Sequence, residues 1–126
     1  MSYEYAKLRR HYSDISGQLI FTASTDDTTL RTVRDANHTI FVQKIRVYIT
    51  TDAAQSIVFE DSNSSARKIA EVTASPGDET PWVFDFGPKG FELTEGKNFV
   101  MNVSAVGLAG HMEWEGYEKL TAVTHA

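Results

Sequence analysis

The 126-residue sequence contains no cysteine. Without thiols the chain can form no disulfide scaffold, no thiolate zinc site and no cysteine nucleophile. It also lacks any apolar run long enough to cross a bilayer, so no membrane partner is expected. Residues 1–10 contain no apolar segment of the kind found in secretory signals. The absence of cysteine leaves the compartment open, but the lack of a signal segment and of a membrane span predicts a protein made in the cytoplasm and not exported by a standard signal.

The chain also has no excess of positive charge. Its net charge is −5 and its sequence pI is about 5.3, so the positive field that holds a phosphate backbone is missing and nucleic acid is not an expected partner. Hydrophobic residues make up 41% and charged residues 23% of the sequence, as in an ordinary globular protein. A chain of this length can enclose one hydrophobic core, which predicts a single folded domain.

Short segments in which apolar and polar residues alternate dominate the sequence, and turn residues separate them. Such alternation is typical of half-buried strands. The predicted strands are 18–23, 28–34, 39–51, 55–61, 67–73, 81–86, 91–94, 98–106 and 111–117. Their spacing predicts an all-β, antiparallel β-sandwich of about eight strands, and by analogy we favour a jelly-roll-like sandwich over an immunoglobulin-like one.

The longest predicted strand, 39–51, should place one set of side chains in the core and the other in solvent. The expected core set is Phe41, Ile45, Val47 and Ile49, and the expected outward set is Lys44, Arg46 and Tyr48. Its many β-branched residues favour a strand.

The first 15 residues differ in charge from the rest and are predicted to form an N-terminal arm, followed by a sandwich domain over 16–126. Residues 3–10, a candidate helix, carry a charge of +2, which leaves −7 for the remainder. We expect this arm to contact a partner. Its candidate contact residues are Tyr3, Tyr5, Lys7, Arg9, Arg10 and Tyr12. The alternative is a frayed, solvated terminus.

Acid–base or metal chemistry has one candidate group, formed by His111, Glu113 and Glu115 at alternate positions of the last strand. The simpler interpretation is a solvated strand face whose other side carries Met112 and Trp114. The sequence shows no further metal ligand on another strand, and no catalytic or metal-binding motif accompanies the group. The sequence therefore predicts no catalytic residue, no metal site and no cofactor.

An aromatic row at alternate positions of the strand 81–86 also has two interpretations. Trp82, Phe84 and Phe86 could stack against the apolar face of a sugar. They could equally be the core-facing side of a sandwich strand, and the burial tendency of such residues favours the core.

Several segments together resemble a known class of protein. They are Ile45-Arg46-Val47-Tyr48-Ile49-Thr50-Thr51-Asp52-Ala53, Phe84-Asp85-Phe86-Gly87-Pro88-Lys89-Gly90, the stretch from Leu93 to Ala105, and Gly110-His111-Met112-Glu113-Trp114-Glu115-Gly116-Tyr117. This pattern resembles the small β-sandwich virion proteins of tailed bacteriophages that decorate or cement the head. The resemblance spans residues 39–117 and does not include the arm.

The resemblance implies a protein of the capsid exterior, made in the host cytoplasm, that binds the major capsid protein. It implies a homo-oligomer, either a trimer or a dimer, and no enzyme activity. A second hypothesis is a carbohydrate- or receptor-binding module of a tail or fibre complex, for which a solvent-exposed Trp82 or Trp114 would be needed. An enzyme would require His111, Glu113 or His38 to meet a second titratable group in one pocket.

Overall fold

The computed structural model describes residues 12–21, 28–50, 55–63, 65, 67–74, 81–103 and 110–121. The regular secondary structure of these residues consists of β-strands alone, which confirms the predicted all-β class. The nine strands are β1 (Tyr12–Phe21), β2 (Thr28–Arg31), β3 (His38–Ile49), β4 (Gln55–Asp61), β5 (Lys68–Ala74), β6 (Trp82–Asp85), β7 (Phe91–Glu92), β8 (Phe99–Val103) and β9 (Gly110–Leu120).

The strands form two antiparallel sheets. The first has the order β1-β9-β3-β6, with β7 also paired to β3, and the second has the order β2-β8-β4-β5. Four sets of these pairings are nested along the chain: β1 with β9, β2 with β8, β3 with β6 and β7, and β4 with β5. The pairings of β3 with β9 and of β4 with β8 join the nested pairs into the two sheets. A long antiparallel hairpin that is rolled up into two sheets produces this order, and it is the arrangement of a jelly roll. The predicted jelly-roll sandwich is therefore confirmed by its topology.

Strands β6 and β7 act as one edge strand with an interruption. Both pair with β3, β6 against residues 44–47 and β7 against residues 41–42. The turn between them contains Gly87 and Gly90, both with positive φ, a conformation that glycine adopts without a Cβ clash. The Tyr117 hydroxyl donates a hydrogen bond of 2.6 Å to the carbonyl of Lys89 and so holds this turn against the sheet.

The core lies between the two sheets and is apolar through most of its length. Its fully buried side chains include the largest ones of both sheets. They are Phe21, Ile40, Val42, Ile45, Val47, Ile57, Phe59, Leu93, Phe99, Met101 and Met112. Trp114 of the first sheet meets Phe99 of the second edge to face, with 5.1 Å between ring centroids. This contact joins the two layers.

A β-bulge in β3 overturns one predicted core residue. The register against β9 shifts between Val42 and Lys44, so one extra residue, Gln43, reverses the alternation of side chains. Ile40 and Val42 therefore face the core together with Ile45, Val47 and Ile49, whereas Phe41 lies on the outside. Opposite this part of β3, a Cβ on Gly116 would overlap the carbonyl oxygen of Phe41, so glycine is required there.

Strand β1 is longer than the sequence predicted. It begins at Tyr12, whereas the predicted strand begins at residue 18, and Tyr12 pairs with Lys119. Residues 12–15, which the sequence assigned to the arm, thus belong to the first sheet. Tyr3, Tyr5, Lys7, Arg9 and Arg10 lie outside the described residues, as does the candidate helix 3–10, and the arm stays a prediction there.

Candidate binding face and the polar end of the sandwich

The first sheet presents a broad surface to solvent, called here the outer face. Because residues opposite each other in an antiparallel ladder point to the same side, the outward side chains form rows across β1, β9, β3 and β6. The rows are Ile20, His111 and Tyr48; Gln18, Glu113, Arg46 and Val83; Ser16, Glu115, Lys44 and Asp85; and Asp14, Tyr117 and Phe41.

Charges on the outer face are arranged in pairs. Arg46 Nη1 lies 3.2 Å from Glu113 Oε1, with both side chains more than 40% exposed, and Lys44 Nζ lies 3.9 Å from Asp85 Oδ2. Solvent screens such pairs, so each contributes at most about 1 kcal/mol to stability. Glu113 therefore acts as an ion-pair partner on a solvated strand face, as the simpler sequence interpretation predicted.

Two aromatic stacks flank this charged centre. Tyr48 and His111 lie parallel with 4.5 Å between ring centroids, and Phe41 and Tyr117 do so at 4.7 Å. Next to the first stack, Ile20 is 82% exposed, an unusual degree for a large apolar side chain. The outer face thus combines paired charges with apolar groups, a composition typical of surfaces that contact other proteins.

A shallow groove of about 450 Å³ runs along the outer face where β1 meets β9 and β3. Its lining residues are Ser16, Gly17, Gln18, Lys44, Arg46, Glu113, Trp114 and Glu115. Gly17 is required at this point, because a Cβ there would lie 2.7 Å from Nε1 of Trp114. The groove holds two cations and two carboxylates in the open, an arrangement that suits polar contact with another surface.

Two of the residues named for an enzyme pocket, His38 and His111, lie far apart on the first sheet. His38 begins β3, whereas His111 pairs with Tyr48 near the other end of the same strand. From the rise per residue, about 30 Å separate these two positions. His38 is buried and its Nδ1 lies 2.7 Å from Asp35 Oδ1. Within the described residues, no group of three His, Asp or Glu side chains is placed to hold a metal ion.

The aromatic row of β6 faces inward. Trp82, Phe84 and Phe86 are partly buried and pack against the core cluster, while Val83 between them is 50% exposed. Trp114, the other candidate for sugar stacking, is only 4% exposed. The core interpretation of the row is therefore the one that the geometry favours.

One end of the sandwich is closed by polar side chains that point inward. Glu118 of β9 is 3% exposed and lies between the sheets. Its carboxylate accepts a hydrogen bond of 3.2 Å from Arg31 Nη2 of β2 and one of 3.0 Å from the backbone N–H of Arg34. A charged pair thus links the first sheet to the second at this end.

Asp61 forms a second inward polar group, at the end of β4. It is 1% exposed, and its carboxylate accepts four hydrogen bonds. Oδ1 accepts from the N–H groups of Asn63 and Arg67, and Oδ2 accepts from the N–H and the hydroxyl of Thr94, at 2.6 to 3.1 Å. Burial alone raises the pKa of Asp61, but these hydrogen bonds outweigh it and lower the pKa below its ordinary value.

Neither buried carboxylate was identified in the sequence. The alternation of the two strands did indicate inward positions for both. In β4 the inward positions Ile57 and Phe59 are followed by Asp61. In β9 the inward positions Met112 and Trp114 are followed by Gly116 and then Glu118. A carboxylate at an inward position requires donors, and those donors come from loops and from the opposite sheet, which the sequence pattern does not locate.

Of the predicted contact residues, only the backbone of Tyr12 is described. It starts β1 beside Lys119, at the same end of the sandwich as Glu118. Among the described residues, no helix is long and apolar enough to span a membrane.

Comparisons with known proteins give structural likenesses only. No family model and no curated protein matches the sequence. The fold is similar to that of the virus-like particle protein of the extra small virus of the prawn Macrobrachium rosenbergii, at 8% identity over 90% of this chain and 81% of that one, with a TM-score of 0.43. A Bacillus endospore appendage protein that forms disulfide-linked pili aligns at 7% identity over 88% of both chains, with a TM-score of 0.45.

A third likeness is to the coat protein dimer of Tobacco streak virus, at 12% identity over 93% of this chain and 90% of that one, with a TM-score of 0.36. Two of these three proteins form viral particles or coats. At such identities and TM-scores the likenesses assign no family and no function to this chain, and its jelly-roll class rests on its own strand order.

Proposed function

We propose that this chain is a virion structural protein of a tailed bacteriophage that decorates and stabilises the capsid shell. The observation that carries the proposal is the nested strand pairing of a jelly roll, whose strands β3 to β9 lie largely within the residues that resemble head-decoration proteins. Lectin domains and cupins share jelly-roll architecture, so the fold alone does not select a role. The sequence resemblance over residues 39–117 supports a role in the virion.

The outer face suits this role. Its charges are paired and its apolar groups are small patches, so it can form a modest contact that is repeated many times over a shell. A ligand that binds the assembled lattice better than the free subunit stabilises the lattice by mass action. Many weak contacts on one particle then add up to firm attachment.

The arm supplies the specific contact with the major capsid protein. Lys7, Arg9 and Arg10 provide cations on a chain that is otherwise acidic, and Tyr3 and Tyr5 provide large amphipathic side chains. Tyrosine and arginine are enriched among residues that dominate binding energy at protein interfaces. Attachment through these cations should weaken as salt is raised.

Co-sedimentation with undecorated shells tests the proposal. The full chain should pellet with the shells, and a chain lacking residues 1–11, which keeps all of β1, should stay in the supernatant. A full chain that never pellets with shells would contradict decoration. Equal pelleting of both chains would show that the arm is not the contact. A matched control replaces Lys89 and Lys97 by Ser, which removes two cations far along the chain from the arm and should leave pelleting unchanged.

The alternative role, a carbohydrate- or receptor-binding module, has lost its predicted platform. Trp114 is 4% exposed, and Trp82 is partly buried against the core, so neither residue is the fully solvent-exposed ring that this role would use. Quenching of the tryptophan fluorescence by an added glycan would support this alternative.

A further inference from the structure

In the part of the chain that the structure describes, strand β1 is an edge strand without the usual protection against pairing with another chain. Among the described residues it pairs on one side only, with β9. It spans ten residues, Tyr12–Phe21, and carries a single charged side chain, that of Asp14. Exposed edges of this length are normally guarded by lysine, proline, bulges or shortness, because their free N–H and C=O groups bind other strands.

The other edges of the sandwich have such guards. β2 and β6 are four residues long, and β2 contains a register shift. β5 carries an ion pair in which Lys68 Nζ lies 2.7 Å from Glu71 Oε2, with both side chains exposed. The contrast singles out β1 as the edge on which pairing is tolerated.

The centre of β1, residues 15–19, has a pattern that is complementary to itself in the antiparallel direction. Gly17 lies at the centre, with Ser16 and Gln18 outward on either side and the partly buried Ile15 and Leu19 inward beyond them. A two-fold interface requires a surface that fits its own copy after rotation, and this pattern meets that requirement.

We propose that β1 pairs antiparallel with β1 of a second copy about a two-fold axis at Gly17, which joins the two first sheets into one continuous sheet. This inference rests on the proposed function, because the resemblance to head-decoration proteins implies a homo-oligomer, and it names the surface through which two copies associate. It places Ile15 opposite Leu19 of the second copy on the inner face, twice, and Ser16 opposite Gln18 on the outer face.

Strand geometry selects this register. Residues opposite each other must point to the same face, so the axis must pass through a residue and not between two. Only axes at Ser16 or Gly17 let almost the whole strand overlap, with residues 13–21 paired for Gly17. The two axes differ most next to the centre, where Gly17 sets Ile15 against Leu19 and Ser16 sets Leu19 against the polar Ser13. At its ends the Gly17 register sets Phe21 against Ser13 and Ile20 against Asp14.

Dimer formation is tested on the purified chain without any particles. A negative result would therefore contradict the β1 interface without bearing on whether the chain decorates a shell. The wild type should have twice the 14.1 kDa mass of the chain in light scattering. The double variant Ser16→Lys/Gln18→Lys should be monomeric, because lysines of the two copies would then face each other. Within one chain these lysines lie beside Glu115 and Glu113, so the fold is retained.

A matched control carries the same added charge on other edges. Thr29→Lys in β2 and Thr73→Lys in β5 change exposed positions and should leave the dimer intact. A monomeric wild type would overturn the proposal. A double variant that keeps the dimer while its circular dichroism matches the wild type would overturn it as well.

Cysteine cross-linking measures the register directly, since the chain has no cysteine of its own. For an axis at Gly17, a mixture of Ser16→Cys and Gln18→Cys proteins should form a disulfide between positions 16 and 18, where Cβ atoms lie about 5 Å apart. Either cysteine variant alone should give no more disulfide-linked dimer than the background measured with a mixture of Thr29→Cys and Thr73→Cys proteins. Self-linking of Ser16→Cys, or no link in the mixture, would overturn the proposed axis.

Discussion

Replacing Asp61 by asparagine tests the claim that one buried carboxylate holds the polar end of the sandwich together. The carboxylate accepts hydrogen bonds from Asn63, Arg67 and Thr94 while only 1% exposed. The side-chain oxygen of asparagine can still accept from the N–H groups of Asn63 and Arg67. Its NH₂ group, however, would face the N–H of Thr94, which is also a donor. The lost charge-assisted bonds and the facing donors should cost about 3 kcal/mol.

Urea denaturation followed by tryptophan fluorescence measures this cost. With a slope of about 1.5 kcal/mol per molar, the Asp61→Asn midpoint should fall by about 2 M. The matched control is Asp85→Asn, whose side chain is 64% exposed and lies in a surface ion pair, so its cost should stay below about 1 kcal/mol. An Asp61→Asn midpoint no lower than that of the control would refute the reasoning.

The same variant has a defined pH dependence. Because the pKa of Asp61 is lowered in the folded protein, its contribution to stability is present above the ordinary aspartate pKa of about 4 and is lost as the pH falls through the folded pKa. The difference in unfolding free energy between wild type and Asp61→Asn should therefore be full at pH 7 and shrink in acid below about pH 4. A difference that stays constant down to that range would contradict the lowered pKa.

Three further substitutions test other parts of the structure. Glu118→Gln removes the charge that pairs with Arg31 between the sheets and should lower Tm by about 8 °C, from a loss of about 2 kcal/mol; an unchanged Tm would contradict the linking role. Gly17→Ala places a Cβ 2.7 Å from Trp114 Nε1 and should destabilise by about 1 to 3 kcal/mol in urea while altering the fluorescence of the folded state. Arg46→Ala breaks a pair whose side chains are 43% and 44% exposed and should change stability by less than about 1 kcal/mol in the same assay; a larger loss would show that the outer-face pairs are not merely screened.

The strands could be predicted because alternation is a local property of the sequence. Phe99, Met101 and Val103 read as one face of a core strand, and all three are buried. The prediction of which face a residue lies on was wrong where one extra residue interrupts the alternation. Gln43 is an extra residue in β3, and nothing in its side chain marks a bulge, so Phe41 was assigned to the wrong face.

Contacts between distant parts of the chain could not be predicted from such patterns. The start of β1 was missed because Tyr12 to Gly17 contains one aliphatic residue, Ile15, and the strand is defined by its partner β9. The buried Glu118 depends on Arg31, which lies 87 residues away. The solvated interpretation of Glu113 needed no distant contact, and its place on an exposed strand face agrees with the sequence.

The copy number of this chain in purified particles from its source tests the virion role most directly. Quantitative mass spectrometry would compare the chain with the most abundant shell protein of the same particles. The account predicts a ratio comparable with that of the shell subunit, because decoration repeats over the lattice. A ratio hundreds of times lower, as for a tail component, or complete absence from the particles, would contradict it.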